Sequence, residues 1–149
     1  MYKNILMFLA TVFIVTFLLV SHTTVTNLMW LSSMDMPVTI SILFTSIAHD
    51  MVSMNGSGAV PAAALVAVAL LIAFAVARIA LKWINISRRY AYAIAGGCAL
   101  FAIVLLMPLA FYNLDIIAGA RSAIGKVYLI ATGALGGYYF GFNLSKKEN

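Results

Sequence analysis

The sequence predicts an all-α membrane protein with four transmembrane helices and an outer amphipathic helix between the first two. Three observations predict it. Hydrophobic residues make up 64% of the 149 positions and charged residues only 9%, against roughly 25% charged in a soluble domain. Four apolar stretches, at about 5–22, 59–83, 90–112 and 124–144, reach or approach the ~20 residues a helix needs to cross a ~30 Å hydrocarbon core. The basic residues then fall unevenly at the ends of those stretches. With the N-terminus inside, Lys3, Arg78, Lys82, Arg88, Arg89, Lys146 and Lys147 share the inner side and only Arg121 and Lys126 the outer, seven against two. That asymmetry orients membrane proteins, and it places both termini in the cytoplasm. The chain reads as a single integral membrane domain over 1–149.

The first span is the run Ile5–Val20, relieved only by Thr11 and Thr16 and preceded by Lys3. A basic start and an apolar run also begin a signal peptide. The residues that follow, Ser21-His22-Thr23-Thr24, lack an A-x-A-like cleavage pair, so a retained span is expected. The stretch Met36–Met54 is apolar but studded with polar residues. Counting it as a span would put Arg88 and Arg89 outside, against the charge rule. It is therefore expected to be a non-spanning helix over about 38–54. Ile40, Leu43, Phe44, Ile47, Met51 and Met54 follow at steps of three or four, one helical face. Thr39, Ser46, His49, Asp50 and Ser53 fall mainly on the other. Without Lys or Arg it is not built to attract anionic lipid, and packing on the outer ends of the spans is expected.

The second span follows Gly56-Ser57-Gly58, with Pro61 in its first turn, where proline is tolerated. It closes on Arg78, Lys82 and Trp83. Arg78 is near enough to the cytoplasmic end to snorkel. The third follows Arg88-Arg89 and should kink or end at Pro108. The fourth runs from Ile124 to Leu144, ahead of Lys146-Lys147.

This order of features carries three short pieces: His49-Asp50, Ile117-Ala118-Gly119-Ala120-Arg121, and Gly133-Ala134-Leu135-Gly136-Gly137. With them the chain resembles a family of uncharacterised, small four-span bacterial inner-membrane proteins. The resemblance implies a fold and a bacterial inner-membrane location. It implies no activity and carries over no site.

The strongest pattern is Gly133-x3-Gly137-x3-Gly141. Glycines four apart make one helix face and let a second backbone approach closely, the usual source of contact between helices in lipid. Ala69-x3-Ala73-x3-Ala77 and Ala91-x3-Ala95-x3-Ala99 give similar small faces. Such faces either pack the spans of one subunit or join subunits, and the glycine run is the best oligomer candidate of the three.

A second pattern lies on the outer side. Met29, Met34, Met36, Met51 and Met54 are five of the eight methionines. His22, His49, Asp35 and Asp50 are there too. Thioether and imidazole suit Cu(I), making Met51, Met54 and His49 weak metal candidates. Methionine as apolar filler explains them as well. His49 and Asp50 could handle a proton, or form a solvated face. Asp115 and Arg121 flank the last outer loop and could pair to fix it.

No cofactor is expected. The single cysteine, Cys98, excludes an internal disulfide or a CxxC site. There is no Walker loop, HExxH or Gly-x-Ser-x-Gly, no acidic residue near mid-span, and no basic stripe for nucleic acid. The reading that results is a small non-enzymatic inner-membrane protein, an accessory or oligomeric subunit that could form a transport passage. Its partners are the lipid bilayer and either its own copies or a larger membrane complex. Copper handling through the outer Met/His residues is one alternative. A small enzyme acting at the outer face through His49 and Asp50 is the other.

Overall fold

The computed structural model describes residues 2–56, 61–110 and 117–145. They form α1 (Tyr2–Ser32), α2 (Ile40–Gly56), α3 (Ala62–Ala80), α4 (Arg88–Ala110) and α5 (Ala123–Ser145), with a 3-10 turn at Ala118–Ala120 ahead of α5. No strand occurs among the described residues. Three helical segments are long and apolar enough to cross a membrane: Tyr2–Ser32, Ala62–Ala80 and Arg88–Leu106. The chain is thus an all-helical protein of membrane type.

α5 has 23 residues, as α4 does, yet it is not among the three. Gly125, Gly133, Gly136, Gly137 and Gly141, with Tyr128, Tyr138 and Tyr139, dilute its apolarity. The 17-residue α2 is not among them either.

α1 runs past the expected end near residue 22. Its polar tail is accommodated within the helix, its hydroxyls satisfied by donating to carbonyls one turn back. Thr23 Oγ1 donates to the Leu19 carbonyl at 2.9 Å, Thr24 to Val20 at 3.0 Å and Thr26 to His22 at 2.8 Å. At 31 residues, α1 is about 46 Å long. It outruns a ~30 Å hydrocarbon core.

α1 ends in a left-handed turn. Asp35 has φ 58°, Met36 N–H donates to the Leu31 carbonyl, and Asp35 N–H to Ser32. This pairing closes a helix on a left-handed residue, a place usually held by glycine. The chain then returns along α1 as α2. Leu43, Ile47, Asp50, Met51 and Met54 are half-buried, and Met51 and Met54 pack on the core. Ile40 and Phe44, expected on the same face, are 76% and 67% exposed.

At the α2–α3 junction, Asn55 Oδ1 accepts the Ala63 N–H at 2.9 Å. Pro61 stands at the N-cap of α3, one place before the first turn, with φ −58° and ψ 134°. Pro108 lies inside α4, two residues before its end at Ala110.

One aromatic cluster joins four helices. Phe140 of α5 stacks on Phe74 of α3 at 4.8 Å between centroids. Tyr92 of α4 meets both edge-on at 5.2 Å. Phe8 of α1 meets Phe74 and Phe140 edge-on at 6.2 Å. Such geometries are the favoured ones for ring quadrupoles.

Candidate functional site

The glycine face of α5 is spent inside the chain. A Cβ on Gly133 would strike the Gly96 carbonyl of α4. One on Gly137 would strike the Tyr92 carbonyl, and one on Gly141 would lie 2.8 Å from the Arg88 carbonyl. Gly96 answers from α4, where a Cβ would strike the Gly133 carbonyl. Gly136, one residue from this face, lies against α1, where a Cβ would strike Val15. α5 is therefore wedged between α4 and α1. Gly133, Gly137 and Gly141 are thus all taken up by contact with α4.

Ala69, Ala73 and Ala77 of α3 and Ala91, Ala95 and Ala99 of α4 all line one groove. Its volume is about 1140 Å³. One end is bounded by Ala62, Leu106 and Ile117, the other by Leu81, Ile84 and Ile86. Every lining residue is apolar. Along its rim Val68, Ile72 and Val76 are 59%, 58% and 60% exposed. Cys98, the free thiol, is exposed on the opposite wall. α3 is the least enclosed of the three apolar segments: 22% of its most apolar window is buried, against 44% for α4. Of its six alanines, Ala77, Ala95 and Ala99 are buried in the groove floor and Ala69, Ala73 and Ala91 are half-buried, so the exposed surface is mainly the Val68, Ile72 and Val76 ridge.

The polar candidates are scattered rather than convergent. Thr24 of α1 donates to Asp50 Oδ2 at 2.7 Å, tying α2 to α1. His49 Nδ1 lies 3.7 Å from Asp50 Oδ1, but its side chain is 80% exposed. Met51 and Met54 face the core instead, so the three do not point at one centre. Among the described residues no three of His, Cys, Asp and Glu gather to hold a metal. His22 is far from His49 in its packing: it stacks on Tyr128 of α5 at 4.2 Å. Gly119 presses on its edge, where a Cβ would come within 2.6 Å of Cδ2. Ile117, Ala118 and Ala120 around it are buried, so the 117–120 segment fills the space between α1 and α5. Arg121 is exposed at its end. Asp115, its expected partner, lies outside the described residues. Arg78 is exposed in the last turn of α3, near the Trp83 connection to α4.

Several contributors escaped the sequence reading. Gly96 carries no pattern of its own, since its partner glycines are some forty positions away. Ser122 was findable: its Oγ accepts the Gly125 N–H at 3.0 Å, an N-cap signalled by a serine just before a helix. The rim Val68-x3-Ile72-x3-Val76 was also open to a count at steps of four. The chain matches no family model, no curated protein and no solved structure.

Proposed function

We propose that this chain is a small non-enzymatic protein of a bacterial inner membrane that works as an accessory or oligomeric subunit. In this reading α1, α3, α4 and α5 are four spans with both termini cytoplasmic, and α2 packs on their outer ends. The observation that carries it is the apolar groove between α3 and α4. Without a hydrophobic driving force in lipid, helices associate where small residues let backbones approach. An apolar groove with a small-residue floor and an exposed Val68, Ile72 and Val76 ridge is suited to receive another membrane helix. The glycine contact, by contrast, supports a role inside the subunit.

Two measurements test the reading. Reporter fusions after Asn149 and within the 84–87 connection should report cytoplasm, and one after Asn55 the outer side. An outer signal at 84–87 would refute the four-span topology. Native mass measurement in mild detergent should show the chain in an assembly that Ala73→Leu, which fills the groove, dissolves. A monomer indifferent to Ala73→Leu would refute the role as a subunit.

A further inference from the structure

We propose that the helix received by the α3–α4 groove belongs to a second copy of this chain, making a two-fold dimer. The proposal rests on the reading that the groove takes a membrane helix, and it names that helix as α3.

The depth of the groove argues first. It follows α3 over its whole length, from Ala62 to beyond Ala80, 19 residues or about 28 Å. That is nearly the whole ~30 Å hydrocarbon thickness. A lipid chain belongs to one leaflet and fills about half of it. A transmembrane helix fills all of it.

Self-complementarity argues second. The groove's rim is a ridge on the same helix: Val68, Ile72 and Val76, spaced by four and more than half exposed. One position further on, Ala69, Ala73 and Ala77 form the small wall behind it. Small residues at steps of four let a facing membrane helix approach closely along such a line. A two-fold axis along the membrane normal keeps both copies in the same orientation. It also sets each ridge into the other copy's groove, so that both features are used twice.

Area argues third. The strip presented by α3 and α4 is about 28 Å long and two helix diameters, ~20 Å, across. That is roughly 560 Å² per copy and about 1,100 Å² for the pair, above the ~1,000 Å² a specific interface needs.

Cys98 makes the test direct. It lies ten residues into α4 from Arg88, and Ile72 nine residues before Leu81. On antiparallel neighbours these are at one depth, which the two-fold axis preserves. The full chain is oxidised in membrane vesicles as wild type, as Ile72→Cys, and as Phe13→Cys. Phe13 is 63% exposed on α1, away from the groove. Native mass is measured beside it for wild type, Ala73→Leu and Ile72→Ala, the last removing the ridge without overpacking. The expected result is a species of twice 16.0 kDa, cross-linked through Ile72→Cys and not through Phe13→Cys. Ala73→Leu and Ile72→Ala should each lower the dimer fraction at least tenfold at fixed concentration. Equal cross-linking at both positions is random collision and overturns the proposal. A complex with a different membrane protein that Ala73→Leu dissolves overturns the second copy but leaves the subunit role standing. A monomer carrying only lipid, unchanged by Ala73→Leu, overturns both.

Discussion

Replacing Gly137 by alanine adds a single methyl, and the structure says where that methyl goes. It strikes the Tyr92 carbonyl and stands 3.2 Å from the Ala93 Cα. Both are backbone, so no side chain can swing aside, and α4 and α5 must separate. Overpacking of this kind costs typically 1–3 kcal/mol, and an unyielding neighbour puts it in the upper half. Against this, alanine is favoured over glycine in a helix by up to ~1 kcal/mol. The net expectation is a loss of about 1–2 kcal/mol. Gly97 is the control. A Cβ there meets Ala134 at 3.5 Å, an ordinary contact, so Gly97→Ala should keep the propensity gain of up to ~1 kcal/mol. The two variants should therefore differ by roughly 2–3 kcal/mol, by the same two contributions. Reversible unfolding of the full chain in mixed micelles, followed by far-ultraviolet circular dichroism, measures the difference. Gly137→Leu should be worse still, and Leu135→Ala, at a site 64% exposed, nearly silent. Equal stability of Gly137→Ala and Gly97→Ala would refute the claim that the α4–α5 contact is limited by backbone approach.

Three further outcomes are expected. Asn55→Ala removes the side-chain acceptor of the Ala63 N–H and should cost about 1 kcal/mol in the same unfolding assay; no change would mean the junction is held otherwise. Asp35→Val puts a branched residue at φ 58° and should cost ~1–2 kcal/mol, while Asp35→Gly should match or exceed the parent. Competition against a Cu(I) chelator should show no tight site, because His49 is exposed while Met51 and Met54 pack inward; a stoichiometric site abolished by Met51→Leu with Met54→Leu, which keep the volume, would reverse that conclusion.

The helices were largely legible because apolar runs and their charged ends are local features. α3 and α4 lie close to the stretches expected from Ala59 and Tyr90 onward. What was not legible is which face meets which. The steps of four in Gly133, Gly137 and Gly141 show a face ready for contact, but Gly96 and the Tyr92 carbonyl, which receive it, have no periodic signature. The alanine faces of α3 and α4 were visible singly; that they line one groove follows only from how the two helices pack. The reach of the α1 helix beyond residue 22 was not legible, because Thr23, Thr24 and Thr26 look like a break in composition while their hydroxyls bond back along the helix. Asp50 was readable as polar, but its tie to Thr24 crosses 26 positions.

The dilution of α5 by glycine and tyrosine bears on how the chain is made. In the four-span reading, α5 is the segment that gains least from lipid by itself, and it is also the segment whose backbone lies closest to its predecessor. The glycines that weaken its partitioning are the ones that fit it to α4. Insertion of α5 is then a docking event as much as a transfer, best accomplished when α4 is still beside the exit of the insertion machinery. The connection between them would act as a timer: lengthening it should strand α5 at the interface in a fraction of molecules, leaving Phe74 and Tyr92 without their ring partner Phe140.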